Sequence, residues 1–121
     1  MAKKETSQPT QSSTPLSPYR VLDLTDEKGM LCGKILGDLG ADVIKIEPPG
    51  GDPARKIGPF FRNHPDREKS LYWFHYNTNK RSITLNLQTM DGRGLFKKLS
   101  STADIIVETY PPGTWRNYNV L

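Results

Sequence analysis

The segment from residue 20 to residue 55 constrains the fold of this 121-residue chain more than any other part of it. An apolar, partly β-branched run over residues 19–25 indicates a strand, and the pattern that follows predicts a helix ending near Leu39. A second strand is predicted over residues 42–47, and the Pro-Pro-Gly-Gly sequence after it breaks that strand. Two strands joined through a helix by short connections predict a parallel pair with a right-handed crossover. The segment therefore predicts an α/β fold built on a parallel sheet that binds a ligand.

The predicted helix carries an unusual glycine pattern. Gly29, Gly33 and Gly37 are spaced four residues apart and so lie on one helical face. Each glycine inside a helix costs about 1 kcal/mol relative to alanine. We interpret the three glycines as a packing face against which a strand or another backbone approaches closely. Thr25 or Asp26 is expected to cap the start of this helix.

The rest of the chain continues the alternation of strands and helices. Residues 1–17 are rich in Ser, Thr, Gln and Pro and predict a disordered tail, with folded structure beginning at Pro18. Residues 48–69 form a long irregular segment, of a length typical of functional or disordered loops. The later predicted elements are a short helix or buried turn over residues 70–77, a strand over 82–87, a helix over 91–101 and a strand over 103–108.

Three loops are the candidate ligand-binding segments, because ligands of open parallel sheets bind outside the carboxyl ends of the strands. They are residues 26–29, residues 47–52 and residues 108–113. A nicotinamide dinucleotide is one alternative ligand, since Glu47 ends the second strand where an acid would meet a ribose hydroxyl. The Gly-x-Gly-x-x-Gly fingerprint is missing, however, and the spacing from Gly29 to Gly33 does not suit the pyrophosphate turn.

Other site classes have little support. His64 and His75 lie in unrelated segments, and Cys32 is the single cysteine, so no metal site is predicted. Cys32 is interpreted as a small buried thiol inside the helix. No Gly-x-Ser-x-Gly nucleophile motif is present. Asp23 and Asp26 flank the end of the first strand, where capping is favoured over paired-acid catalysis.

Charge and composition limit the kinds of partner that the chain is expected to bind. The 17 cations and 13 anions give a net charge of +4, and they are scattered rather than gathered in the basic stripe typical of nucleic-acid binding. No apolar run reaches membrane-spanning length, and a single cysteine fits a cytoplasmic setting. Arg81 has three possible roles: a solvated surface cation, an anchor at a subunit contact, or a cation that attracts a phosphate. The same three roles are open for Arg55 and Lys56. With 35% hydrophobic residues, the chain is expected to be part of a larger fold or to need a partner.

An ordered series of motifs resembles the beginning of the class III CoA-transferases, the CaiB–BaiF family. The resemblance covers residues 18 to about 118. Its motifs are, in chain order, residues 21–25, residues 37–47, Gly51-Asp52 with Arg55, residues 79–87, residues 91–93, residues 103–108 and Pro112-Gly113.

The resemblance implies a Rossmann-like parallel sheet of strand-helix-strand units, forming the half of the family's large domain that binds CoA. Residues 18–121 would be the N-terminal part of that domain, truncated, and the full-length enzyme would be an interlocked homodimer in the cytoplasm. Members move CoA between carboxylic acids, so acyl-CoA and an acid acceptor are the implied partners, without nucleic acid, membrane, metal or redox cofactor. An Asp carboxylate attacks the thioester to give a mixed anhydride and CoA thiolate.

The resemblance places the nucleophilic Asp beyond this chain, so no catalytic residue is assigned and the chain is expected to be inactive by itself. The implied coenzyme A contacts are Lys28, Gly29, Leu85, Asn86, Leu87, Gln88, Thr109, Tyr110 and Pro111. Residues 26–30 are one residue shorter than the Val-x-Ala-Gly-Pro segment of many members, and Pro48 replaces a frequent Arg. The alternatives are a 2-methylacyl-CoA racemase, a non-catalytic module that pairs with a separate remainder, and a nucleotide-binding domain unrelated to CoA.

Overall fold

A computed structural model describes residues 14–118, which form a four-stranded, all-parallel sheet with helices against it. The strand order is β3-β2-β1-β4, so the chain builds outward from β1 on one side and then returns to its other side. This arrangement confirms the predicted α/β class. The elements are β1 Arg20–Leu24, α1 Met30–Asp38, β2 Asp42–Glu47, α2 Leu71–Asn77, β3 Lys80–Thr84, α3 Met90–Ser100, β4 Ile105–Glu108 and α4 Thr114–Asn117. Two short 3-10 helices, Pro53–Lys56 and Phe61–Asn63, lie in the segment between β2 and α2.

The two central strands are buried and the two edge strands are exposed. In β1 the side chains of Val21 and Leu22 are fully buried, because helices or loops cover both faces of the sheet centre. The edge strands carry exposed apolar side chains, including Ile83 in β3 and Ile106 in β4. A parallel sheet usually has both faces and edges covered, so these strands are the incompletely covered part of the sheet.

Apolar side chains form a cluster on each side of the sheet and a third cluster beside α1. On one side, α3 contributes Phe96 and the cluster contains Leu22, Leu24, Ile44, Ile46, Leu87 and Phe96. On the other side, Leu36 of α1 packs on Val21, Ala41 and Val43. The third cluster, formed by Met30, Ala54 and Trp73, joins α1 to the loop after β2 and to α2.

The glycine face of α1 is a packing face, as predicted. A Cβ atom added to Gly33 would overlap with Oδ2 of Asp23 in β1, and one added to Gly37 would lie 3.2 Å from the carbonyl oxygen of Asn79. A Cβ atom at Gly29 would lie 2.6 Å from Cγ2 of Thr109. The prediction for Cys32 was wrong: its thiol is exposed, and Cys32 lies beside the glycine face of α1 and not on it.

The start of α1 also differs from the prediction. The helix begins at Met30, and its N-cap residue is Gly29, which has no side chain that could cap the helix. Thr25 does not cap the helix; its backbone N–H and its hydroxyl donate to Asp23 Oδ1 at 2.9 and 2.6 Å. Asp26 accepts a hydrogen bond from the backbone N–H of Lys28 at 3.0 Å and so shapes the loop instead.

Strand β3 lies earlier in the chain than the strand predicted over residues 82–87. Its pairing with β2 begins at Lys80, opposite Val43, and ends at Thr84, opposite Glu47. The alternating residues Leu85 and Leu87 continue past the strand and pack on the core from the following loop. Helix α3 and β2 match their predicted bounds to within one residue, and α4 was not predicted.

The predicted N-terminal tail lies mostly outside the described residues, at residues 1–13. Residues 14–17 form a turn, and the backbone N–H of Leu16 donates to the carbonyl oxygen of Leu39 at 3.0 Å. The described structure thus extends four residues before Pro18. Across residues 14–118, every helix is too short or too polar to cross a lipid bilayer.

Candidate functional site

An open cleft of about 990 Å³ lies at the carboxyl end of the sheet. The strand order places it where the chain direction across the sheet reverses, between β1 and β4, and this is the usual ligand position in open α/β sheets. The loops after all four strands contribute to its walls. The lining residues are Leu24, Thr25, Asp26, Lys28, Ile46, Glu47, Pro48, Pro49, Asp52, Pro53, Leu85, Asn86, Leu87, Gln88, Thr109, Tyr110, Pro111, Pro112 and Tyr118.

The structure brings together the residues that sequence resemblance assigned to the site, with one exception. Gly29 does not line the cleft; it lies behind the wall, against Thr25 and Thr109. The backbone N–H of Asp26 donates to Thr109 Oγ1 at 2.8 Å and ties the loop after β1 to the loop after β4. The cleft residues on the predicted positions are Lys28, Leu85, Asn86, Leu87, Gln88, Thr109, Tyr110 and Pro111.

Aromatic side chains that do not line the cleft support Tyr110 from behind. The ring of Tyr110 meets Trp115 of α4 edge to face at 5.6 Å, and Trp115 stacks on the buried Phe96 of α3 at 5.4 Å. Burial raises the pKa of the Tyr110 hydroxyl above its ordinary value. Trp115 was not among the predicted residues, since its place beside Phe96 follows from α4, which the sequence pattern did not reveal.

Each carboxylate in the cleft wall is paired with a cation. Asp26 pairs with Lys28 at 3.2 Å, Glu47 pairs with Arg55 at 2.6 Å, and Asp52 lies 3.6 Å from the ammonium group of Lys45. Among the cleft-lining residues of the described chain, Lys28 is the single cation. Because each of the three carboxylates has a cation beside it, the net charge of the wall is close to zero.

Glu47 is held by the most extensive of these pairings. Arg55 donates from Nε and Nη2 to the two carboxylate oxygens at 2.6 and 2.8 Å, and the backbone N–H of Asp52 adds a bond at 2.8 Å. The hydroxyl of Ser82 in β3 also donates to it. Burial alone would raise the pKa of Glu47, but these donors outweigh it and lower the pKa to about 2. Glu47 is therefore a structural anion that closes the loop after β2.

The candidate phosphate attractors are engaged elsewhere. Besides its bonds to Glu47, the Arg55 guanidinium lies 4.2 Å above the ring of Trp73. Arg81 bonds to Asp42 through Nε at 3.0 Å and through Nη2 at 2.7 Å, at the other end of the strands from the cleft. Lys56 is exposed and does not line the cleft.

A buried charge network lies behind the cleft wall. Asp23 in β1 is fully buried and receives Lys80 Nζ at 2.7 Å and Lys45 Nζ at 3.4 Å. Burial would raise the pKa of Asp23, but the two ammonium groups and the Thr25 hydroxyl hold it below its ordinary value. Asp23 is thus a buried structural anion and caps no helix. A lysine inside the apolar run of β2 was the sequence signal for this network.

Asp52 differs from the other acids of the wall. Its side chain is buried and accepts a hydrogen bond from the backbone N–H of Ala54 at 2.8 Å. Burial raises its pKa above the ordinary value, in spite of that bond and of the charge on Lys45. No cluster of three or more His, Cys, Asp or Glu side chains in residues 14–118 has the arrangement of a metal site.

Comparison with known proteins identifies one family. The model of CoA-transferase family III matches residues 16–120. The chain is 45% identical over 97 residues to a subunit of succinyl-CoA:(R)-benzylsuccinate CoA-transferase from Thauera aromatica, covering 80% of this chain and 24% of that protein. It is 47% identical over 103 residues to formyl-CoA:oxalate CoA-transferase from Escherichia coli, covering 84% and 24%.

Solved structures agree with these sequence relatives. A hypothetical protein from Mycobacterium tuberculosis superimposes with a TM-score of 0.79 at 36% identity, covering 90% of this chain and 29% of that one. A CAIB/BAIF family protein from Brucella suis gives a TM-score of 0.78 at 36% identity, covering 89% and 29%. The chain spans about a quarter of the length of the curated relatives it matches.

Proposed function

The chain belongs to CoA-transferase family III, and from this premise we propose that its cleft supplies part of a coenzyme A site. The observation that carries the proposal is the convergence of separate segments. Positions assigned by the family resemblance, in the loops after β1, β3 and β4, line one cleft at the reversal point of the sheet. Residues 85–88, which the rule for strand ends had not selected, line the same cleft as the loops that the rule did select.

The proposed reaction is the transfer of CoA between carboxylic acids, with acyl-CoA and an acid acceptor as substrates. A nucleophilic Asp would attack the acyl-CoA thioester carbonyl, giving an aspartyl mixed anhydride and releasing CoA thiolate. By the family resemblance that Asp does not lie among residues 1–121. The 121-residue chain is therefore proposed to bind CoA without turnover, and the full enzyme to be an interlocked cytoplasmic homodimer.

The chemistry of the wall suits the long uncharged arm of CoA. Proline rings and Tyr110 offer apolar surface, while Asn86 and Gln88 offer amide groups for hydrogen bonds. The paired carboxylates leave little net charge inside the cleft, so negative phosphates would not be repelled from its mouth. Lys28 lies at the exposed rim, with 74% of its side chain accessible, where it can reach a phosphate.

A second candidate is a non-catalytic module that pairs with a separately encoded remainder. The open edges of the sheet favour it, because Ile83 of β3 and Ile105 and Ile106 of β4 remain exposed. Relatives include the alpha and beta subunits of succinyl-CoA--L-malate CoA-transferase from Chloroflexus aurantiacus. Recovery of catalytic turnover on mixing with a chain that carries the remainder of the family fold would support this candidate.

Titration calorimetry of the purified chain with CoA and with NAD tests the main proposal. We expect saturable binding of CoA and none of NAD. Lys28→Gln should weaken CoA binding about fivefold, the value of one exposed charge contact. Lys56→Gln is the matched control, since Lys56 is also exposed but lies outside the cleft. Equal effects of both variants, or binding of NAD alone, would refute a CoA site in this cleft.

A further inference from the structure

Lys45 is a buried cation in a place where an apolar side chain would be expected. It lies in the middle of β2, between the buried Ile44 and Ile46, and its side chain is 1% exposed. An ammonium group at such a position loses its hydration, which is unfavourable unless oxygen atoms replace the water. Lys45 is not a cleft-lining residue. Any influence of its charge on the cleft therefore passes through the groups that Lys45 contacts.

Those contacts join loops from two different strands. Lys45 Nζ donates to the backbone carbonyl of Thr25, directly after β1, and lies 3.6 Å from Asp52 Oδ2, in the loop after β2. Its third oxygen is Asp23 Oδ1, at 3.4 Å. Both Thr25 and Asp52 line the cleft. A single ammonium group thus reaches both loops from behind the wall.

We propose that Lys45 is a positioning residue, whose buried ammonium group fixes the loops after β1 and β2 relative to each other and so sets the shape of the cleft. Hydrogen bonds in the two loops depend on this arrangement. The backbone N–H of Asp26 reaches Thr109, and the backbone N–H of Asp52 reaches Glu47. Without the ammonium group, the Thr25 carbonyl and the Asp52 carboxylate would be left buried without their partner, and both loops would open to hydrate them.

Lys80 provides a matched control within the same network. Its side chain is also 1% exposed, and its Nζ also donates to Asp23, at 2.7 Å. Its other partners are the carbonyl oxygen of Met30 and Oδ1 of Asn77, both at 2.9 Å. None of these three partners lines the cleft. Removing either lysine takes one buried charge from Asp23, but only Lys45 holds the loops.

Hydrogen exchange of the 121-residue chain separates the two roles. In Lys45→Met we expect the backbone amides of residues 25–29 and 50–55 to exchange about tenfold faster or more, since a lost bond to a charged group gives an effect of this order. In Lys80→Met the faster exchange should appear instead near Met30 and Asn77. Urea unfolding of both variants measures the global loss of stability. If the role of Lys45 were purely structural, that loss would be the only effect of Lys45→Met. Unchanged loop exchange in Lys45→Met, or equal loop exchange in the two variants, would overturn the proposal.

A second variant decides the matter if Lys45→Met does not fold. Asp52→Asn keeps the size of the side chain and its bond to Ala54 while removing the charge that faces Lys45. We expect faster exchange over residues 50–55 with α3 unchanged. Asp42→Asn removes a charge that pairs with Arg20 and Arg81 at the other end of the strands, and it should leave that loop unaffected. Unchanged amide exchange over residues 50–55 in Asp52→Asn would refute the positioning role of Lys45.

Ligand binding adds a readout that rests on the proposed function. Lys45→Met should lower the affinity for CoA about tenfold, and Lys80→Met should leave it within about twofold of the original chain. Equal losses in both variants would count against positioning by Lys45. If the unaltered chain binds no CoA, the proposed function fails, and the exchange experiment still decides whether Lys45 holds the loops.

Discussion

Alanine at position 33 should destabilise the protein although alanine is the better helix former. Gly33 lies inside α1 with its missing side chain directed at the buried carboxylate of Asp23. A Cβ atom there would overlap with Oδ2 and would lie 3.1 Å from both Cγ of Asp23 and Cε of Lys80. The carboxylate cannot swing aside freely, because Lys80 Nζ holds the same oxygen at 2.7 Å.

The size of the effect follows from two opposing contributions. Replacing an interior helical glycine with alanine favours the folded state by up to about 1 kcal/mol. Removing one partner of a buried ion pair costs about 3–5 kcal/mol, which sets the scale for displacing the Asp23 carboxylate from Lys80. The free energy of unfolding of Gly33→Ala should therefore fall by about 2–4 kcal/mol, a large share of the total of about 5–15 kcal/mol for a protein domain.

Gly94→Ala is the matched control, because Gly94 also lies inside a helix, α3, but has no atom within 4 Å of an added Cβ. It should gain up to about 1 kcal/mol. Urea unfolding followed by the fluorescence of Trp73 and Trp115 measures both changes, with the slope of the transition checked for constancy. A Gly33→Ala protein as stable as Gly94→Ala would show that the close approach of α1 to Asp23 carries no energetic weight.

Two further predictions concern single side chains. The pKa of Glu47 is depressed from 4.5 to about 2 in the folded protein, so its stabilisation is present above pH 4.5 and is lost as the pH falls towards 2. Glu47→Gln should remove at most about 3 kcal/mol of this pH dependence in urea unfolding, and an unchanged dependence would contradict the pairing with Arg55. The exposed thiol of Cys32 should react with a chromogenic disulfide reagent in the folded protein nearly as fast as in urea, whereas protection until unfolding would place it in the core.

The fold followed from the sequence where burial and chain breakers coincided. Strand β2 has its predicted bounds because a buried apolar run ends at two prolines. The predicted position of β3 was wrong because residues 80–84 are mostly polar and exposed and show no apolar alternation. Their strand conformation depends on pairing with β2. The prediction for Cys32 was wrong because it rested on the small apolar character of the thiol and not on its position off the glycine face of α1.

The site was predictable at the level of loops and not of side-chain networks. The rule that ligands bind at carboxyl strand ends selected three of the loops around the cleft, and residues 85–88 were added by the family resemblance. The partners of Asp23 could not be inferred in the same way. Lys80 is 57 residues away in the sequence, and no local pattern brings the two together.

The strand order also sets the sequence in which this sheet can form as the chain is synthesised. Strands β1 and β2 pair residues that are 22 positions apart, so they can meet soon after both have left the ribosome. The other edge of β1 has to wait for β4, which bonds to it across 84 positions. Since the cleft opens between β1 and β4, it can be completed only after β4 has been synthesised, when both lysines that pair with Asp23 are already present.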